Sequence, residues 1–124
     1  MCVLVFGTFD GLHPGHLFFL QSAKACGTKL VVALARDHHV KLFKHKEPQH
    51  KQDERMSAVQ SLSYVDEVIL SDDQPGVFHV IDLIRPDIIV LGYDQNELFQ
   101  VLSEWLQLHH RVIPIIRIKK QPIA

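Results

Sequence analysis

Apolar residues are grouped along the chain in short dense blocks, separated by turn residues or by segments with helical spacing. Residues 2–6, Cys-Val-Leu-Val-Phe, run without a polar break and stop at Gly7-Thr-Phe-Asp-Gly11. That reads as a buried strand entering a turn. Over residues 15–26, Leu17, Leu20 and Ala23 recur near helical spacing, and Gly27 supplies the stop. Residues 29–35 carry the apolar run 30–34 with no alternation, as expected of a strand covered on both faces. Residues 36–51 break the pattern: they are polar, rich in Lys and His, and contain Pro48, which predicts a loop or irregular excursion.

Asp53 can cap a helix whose Met56, Val59 and Leu62 share a face, and residues 64–70 follow as a third strand. Pro75 and Gly76 introduce a helix through about Arg85, Pro86 ends it, and residues 87–91 form a fourth strand. Leu98, Val101, Leu102 and Trp105 then mark an amphipathic helix, and residues 111–116 a fifth strand. Strand and helix alternate throughout. With short, right-handed connections this is an α/β fold, a Rossmann-like doubly wound parallel sheet of five strands with helices on both faces. Ligands of such sheets bind beyond the carboxyl ends of the strands. The segments to inspect are therefore 7–16, 36–51, 71–75, 92–96 and whatever follows Ile116.

Composition narrows the function. A chain of 124 residues fits one domain, 1–124, and 47% hydrophobic with 22% charged residues is the balance of an ordinary globular protein. The formal net charge of -1 gives no overall pull toward nucleic acid, so no nucleic-acid partner is expected and any anion site must be local. The opening apolar stretch is too short to span a bilayer and has neither basic leader nor cleavage signal, which predicts a cytoplasmic protein with no membrane partner. Cys2 and Cys26 alone make neither a disulfide framework nor a four-ligand zinc site, and read as small core thiols.

The segment joining the first strand to the first helix holds the chemistry. Free backbone N–H groups and the helix dipole make such a turn an anion site, and phosphate is its natural ligand. His13 and His16, three residues apart there, can face the same oxygens and stabilise charge on a phosphoryl group. Gly15 permits close backbone approach. Neither the P-loop pattern nor the three-glycine dinucleotide fingerprint is present. A metal reading of the two histidines lacks a third ligand at a fixed spacing, and the helix terminus favours phosphate.

Thr8-Phe-Asp-Gly-Leu-His-Pro-Gly-His16 resembles the signature of the cytidylyltransferase-like nucleotidyltransferases, which include glycerol-3-phosphate cytidylyltransferase, phosphopantetheine adenylyltransferase and archaeal FAD synthase. The likeness covers nearly the whole chain. It implies an enzyme that moves a nucleoside monophosphate from a nucleoside triphosphate to a phosphorylated small-molecule acceptor and releases pyrophosphate. It further implies His13 and His16 as catalytic groups on the triphosphate, Gly7, Thr8, Phe9 and Gly15 in the phosphate-binding turn, Mg2+ as cofactor, and a homodimer.

Lys44 and Lys46, then Arg55 and Tyr64-Val-Asp-Glu-Val-Ile69, are similar to the second block of the glycerol-3-phosphate cytidylyltransferases, whose basic residues grip the phosphates. On that likeness Lys46 is the catalytic cation, with Lys44 beside it binding nucleotide. Gly92-Tyr-Asp-Gln95 resembles the block that approaches the nucleoside, so Gly92, Tyr93, Asp94 and Gln95 join the nucleotide-binding set. Asp94 would hold either the ribose or a metal-bound water. Tyr93 and Phe43 are aromatic candidates for stacking, against the commoner packing role. Gln95, where the cytidylyltransferases tend to carry an aromatic, tilts the acceptor toward FMN and the donor toward ATP; a cytidylyltransferase acting on glycerol-3-phosphate or a similar phosphoalcohol is the alternative.

One departure stands out. The family follows its fifth strand with an Arg-containing loop and a Ser/Thr-rich segment that opens a last helix on the triphosphate. Here Arg117 can replace the Arg, but residues 118–124 contain no Ser or Thr. The expectations are a truncated C-terminal segment, a site completed differently, or a catalytically weakened nucleotide-binding domain. Of the remaining histidines, His38, His39, His45 and His50 are expected to be exposed or loosely phosphate-facing, His109 and His110 to sit against a helix dipole, and His79 to be structural.

Overall fold

The computed structural model describes residues 1–120, leaving aside the side chain of Phe43. Ten elements follow in the order β1 (Cys2–Gly7), α1 (Pro14–Lys24), β2 (Lys29–Leu34), α2 (Asp37–Lys44), α3 (Gln52–Gln60), β3 (Glu67–Leu70), α4 (His79–Ile84), β4 (Ile88–Gly92), α5 (Asn96–Leu108) and β5 (Ile115–Ile118). The five strands form one all-parallel sheet in the order β3-β2-β1-β4-β5. The order reverses between β1 and β4, and that switch point is where ligands of doubly wound sheets bind.

The unbroken apolar strands have the physical cause expected of them, a helical layer on each face. Val3 and Val5 of β1, with Leu30, Val32 and Leu34 of β2, pack against Leu20 and Ala23 of α1 and Val59 of α3. Leu4 and Phe6, with Val31 and Ala33, face Val80 and Ile81 of α4 and Leu102, Trp105 and Leu106 of α5. Successive residues of a strand point to opposite faces, so β1 and β2 serve both layers.

Several local expectations are corrected. Within 36–51 the chain forms the helix α2 rather than an irregular excursion. Its N-cap, Arg36, makes no side-chain cap bond; instead the Gln52 side chain of α3 accepts from the Asp37 N–H at 2.9 Å. That cap comes from 15 residues away, so no local pattern announces it. Asp53 does not cap α3: Lys51 is the N-cap residue, and Asp53 lies in the first turn, where its charge suits the helix dipole. No helix starts at Pro75, because Gly76 has φ +77°, a left-handed turn; α4 is limited to His79–Ile84. The third strand begins at Glu67, since the Val65 N–H folds back onto the Leu62 carbonyl in a turn and only from Asp66, which donates to the Leu30 carbonyl, does the chain meet β2. The fifth strand starts at Ile115 because Arg111 N–H folds back onto the Leu106 carbonyl at the end of α5.

Candidate active site

At the carboxyl end of β1 the chain turns sharply into α1. Phe9 takes φ 50° and its ring, 5% exposed, drops into the core against Phe19 and the edge of His16. Gly7 is required beneath it: a Cβ there would lie 2.4 Å from the Phe9 ring. Phe9 stands in the expected phosphate-binding turn, with its ring turned to the core. It is a packing residue that supports the turn.

His13 is the N-cap of α1. Its Nδ1 accepts from the backbone N–H of Gly15 at 3.1 Å and of His16 at 3.4 Å, while Nδ1 of His16 accepts from the His13 N–H at 3.4 Å. This is a capping box built from imidazoles in place of the usual hydroxyl and carboxamide or carboxylate. The two rings stack with centroids 3.6 Å apart, and a Cβ on Gly15 would lie 2.9 Å from the His13 ring. With both Nδ1 atoms accepting, each neutral ring carries its proton on Nε2. Burial holds the His16 imidazole below its ordinary pKa, and the nearby His13 charge adds to this; a hydrogen bond to the Gly11 carbonyl pulls the other way, with smaller effects of Lys44 downward and Asp94 upward. His16 is therefore a neutral hydrogen-bond donor at neutral pH.

Three segments are tied to this turn from below. Asp10 accepts the N–H groups of Gln49 at 2.7 Å and His50 at 2.8 Å. Burial alone would raise its pKa, but these two bonds and the His50 and Arg55 charges outweigh it, and the carboxyl titrates below its ordinary value. Arg55 is 1% exposed. Its guanidinium donates to the carbonyls of His50 at 3.0 Å and Thr8 at 2.8 Å and to the Asp37 carboxylate at 2.8 Å. The expectation that Arg55 belongs to a phosphate-gripping basic block is corrected: it is an internal brace. The sequence held one signal of this, an Arg four residues before Val59 at the head of the apolar stripe of α3.

On the other side of β1 a cavity of about 340 Å³ opens. Its walls include Phe6, Gly7 and Thr8 of the β1 end, Val40 and Lys44 of α2, and Phe78 ahead of α4. Gln95, Leu98 and Val101 close it from the α5 side. Lys44, in the last turn of α2, thus reaches both the cavity and the field of His16. Lys46 lies beyond the left-handed residue His45, is exposed, and lines no part of the cavity. Of the two lysines the structure brings Lys44, not the favoured Lys46, to the site. His39 also lines the cavity and is only 7% exposed, contrary to the expectation of a solvated ring; its Nε2 and that of His38 both meet the Asp73 carbonyl.

The loop after β4 is held from within. Gln95 accepts the Gly92 N–H at 2.8 Å and donates to the Phe6 carbonyl at 2.9 Å. Arg117 donates to the carbonyls of Gly92 at 2.9 Å and Tyr93 at 3.2 Å and to the Asn96 side chain at 2.9 Å, with its guanidinium over the Phe99 ring. Gln95 and Arg117 are expected on the nucleotide; here the Gln95 amide meets two backbone groups left open where β1 and β4 part, and Arg117 meets two backbone carbonyls and the Asn96 side chain. Asp94 remains exposed near His16, and Tyr93 projects with 51% of its surface exposed. Residues 121–124, on which the expectation about a Ser/Thr-rich segment after the fifth strand falls, lie outside the described residues.

The family model for cytidylyltransferase-like proteins matches residues 4–123. The chain belongs to that family. Within the cytidylyltransferase-like family it is 40% identical over 118 residues to the FAD synthase of Aciduliprofundum boonei, covering 95% of this chain and 78% of that one. It is 42% identical over 117 residues to the FAD synthase of Methanosphaerula palustris, covering 94% and 74%. Among solved structures, the lipopolysaccharide core biosynthesis protein of Thermoplasma volcanium superposes with a TM-score of 0.89 at 32% identity, over 98% of both chains. The pantoate-β-alanine ligase of Francisella tularensis, at 12% identity and TM-score 0.65 over 99% of this chain and 60% of that one, shares the fold. The cytidylyltransferase-like chain is an enzyme, a nucleotidyltransferase, and the expected Rossmann-like architecture holds.

Proposed function

We propose that this nucleotidyltransferase is an FAD synthase, transferring AMP from ATP to FMN. A phosphate oxygen of FMN attacks the α-phosphorus in line; the bond from that phosphorus to the bridging oxygen breaks, and pyrophosphate leaves. No protein nucleophile takes part. Catalysis consists of positioning and of opposing the charge that develops, by the Nε2–H donors of His13 and His16, the α1 N-terminus and Lys44, with Lys46 in a secondary place.

The observation that carries the acceptor is the cavity. At about 340 Å³ and walled by Phe6, Val40, Phe78, Leu98 and Val101, it is of the size and character that receive an apolar ring system. Of its polar lining, which also includes His39, Ser71, Asp72, Gln74, Gln95 and Glu97, Thr8 and Lys44 border the histidine turn, where the FMN phosphate would meet the nucleotide. Glycerol-3-phosphate would leave most of this apolar wall bare. The names of the archaeal relatives point the same way.

Mg2+ is the proposed cofactor. Among the described residues no group of three or more His, Cys, Asp or Glu side chains converges as a metal cage. The donor set fits an ion that arrives on the triphosphate oxygens and keeps most of its waters, with Asp94 the carboxylate whose charge acts on His16. Its chemistry would be charge neutralisation on the phosphates.

A pyrophosphate-release assay crossing ATP and CTP with FMN, glycerol-3-phosphate and phosphopantetheine, with Mg2+ present, tests the reading. Product from ATP and FMN supports it. Product only from CTP and a phosphoalcohol overturns it, as does nucleotide binding without pyrophosphate release from any pair. Trp105, the single tryptophan, touches Phe78 on the cavity wall, so FMN binding there should quench its fluorescence. A homodimer and cytoplasmic residence complete the proposal: light scattering at twice the chain mass and cell fractionation test them. No described helix is long and apolar enough to cross a membrane.

A further inference from the structure

β1 and β4 pair in register through Val3–Ile88, Leu4–Ile89 and Val5–Val90, and no further, although β1 continues beside β2 as far as Gly7–Leu34. The next rung between β1 and β4 is missing because the strands splay at the switch point. Parting them exposes the Phe6 carbonyl on one side and the Gly92 N–H on the other, two groups that a regular ladder would satisfy. Gln95 fills the gap with its side-chain amide, accepting from Gly92 and donating to Phe6. A primary amide carries a donor and an acceptor on one planar unit, as a peptide does, and can stand in for one. Gln95 also lines the cavity beside Gly7 and Thr8, while Asp94, next to it, faces the histidine side.

We propose that Gln95 is a positioning residue for nucleotidyl transfer: as a side-chain substitute for the missing rung, it fixes the width of the crevice across which the cavity-bound acceptor meets the nucleotide. The two substrates would occupy opposite sides of the β1 end, and the distance between their reacting atoms depends on how far Phe6–Gly7 stands from Gly92. Positioning of this kind is sensitive, because a displacement of about 1 Å can cost on the order of a hundredfold in rate. The choice of acceptor rests on the flavin reading; the role of Gln95 concerns the transfer step itself.

The amide gives an unusual test. In Gln95→Glu the ionised carboxylate still accepts from Gly92 but repels the Phe6 carbonyl, whereas the protonated acid accepts from Gly92 and donates to Phe6, restoring the original pattern. The variant-to-wild-type ratio of kcat for pyrophosphate release should therefore fall about ten- to a hundredfold at neutral pH. It should recover as pH falls through the carboxyl's titration. Gln95→Met, similar in size without polar atoms, should lose kcat equally and show no recovery, with the KM for the nucleotide changed less than about threefold.

In 15N-labelled Gln95→Glu, the Gly92 amide resonance should shift with the same midpoint as the activity ratio, a readout that requires no acceptor. If wild type fails with FMN, the flavin reading fails, and the ratio is read with whichever phosphomonoester the wild type accepts. A pH-independent ratio, near-normal kcat in Gln95→Met, or a Gly92 resonance that does not titrate in Gln95→Glu overturns the positioning role.

Discussion

The buried guanidinium of Arg55 donates to the backbone carbonyl of Thr8 at 2.8 Å, fastening the middle of the molecule to the turn that carries His13 and His16. Through Asp37 and the His50 carbonyl the same side chain reaches the start of α2 and the approach to α3. One charge thus sets the relation between the turn that bears His13 and the helix that bears Lys44.

Arg55→Ala removes the charge and leaves the Asp37 carboxylate and two carbonyls without their donor. Asp37 is a third exposed and can turn to water, but leaving part-buried acceptors without their donor still costs about 1–3 kcal/mol, a sizeable share of the stability of a domain this size. Urea unfolding should show a loss of that order, with pyrophosphate release falling alongside it. Arg55→Lys keeps the charge but not the fork geometry and should sit between wild type and Ala. A loss below about 1 kcal/mol in the Ala variant would mean that the brace does not hold the turn.

His13 caps α1, and the proposed transfer gives it a second, separable duty as a donor to phosphate. Asn is among the best N-cap residues, so His13→Asn should keep helix stability within about 0.5 kcal/mol of wild type, whereas His13→Ala should lose about 1 kcal/mol. Both should lose on the order of a hundredfold in kcat, since neither supplies an imidazole donor. Thermal unfolding and steady-state rates measured on the same preparations separate the duties. Near-normal turnover in His13→Asn would reduce His13 to a cap.

The sheet and the histidine turn were legible in the sequence because their causes are local. Continuous apolar runs such as residues 30–34 reflect burial on both faces, and the segment rich in Gly and His between the first strand and the first helix marks the turn capped by His13. What stayed hidden depends on distant partners. α2 is capped by Gln52, Arg55 is buried because Thr8 and Asp37 come to it, Gln95 is drawn to backbone groups left open where β1 and β4 part, and Arg117 to the carbonyls of Gly92 and Tyr93. A polar side chain committed to the backbone and one reserved for a ligand look alike in sequence.

Lys44 and Lys46 differ by one turn of geometry. Lys44 ends α2 on the cavity wall, and Lys46 lies past the left-handed His45. Lys44→Ala should lower kcat/KM more than about tenfold, the scale of a lost charge-assisted contact to phosphate. Lys46→Ala should lower it less than about threefold at the same ionic strength. The reverse ranking would show that the connection between α2 and α3 rearranges when nucleotide binds.

His16 makes stability depend on pH in a definite direction. Its pKa in the folded chain lies below the ordinary imidazole value of about 6.5, chiefly because burial disfavours the charged ring and secondly because His13 is close. Between the folded and the unfolded values the unfolded chain binds the extra proton and the folded chain does not, so stability rises with pH across that window. The contribution is fully present above about pH 6.5 and is lost as pH falls from there through the lower folded value. Denaturant midpoints measured between about pH 7.5 and pH 5 should decline in wild type. They should decline less in His16→Gln, which has no proton to take up at that position. Asp10 adds its own loss only further into acid, because its folded pKa is depressed below the ordinary carboxylate range, so the two effects separate along the pH axis. An identical decline in wild type and His16→Gln over the near-neutral range would mean that His16 keeps an ordinary pKa, and would remove the argument that it acts as a neutral donor.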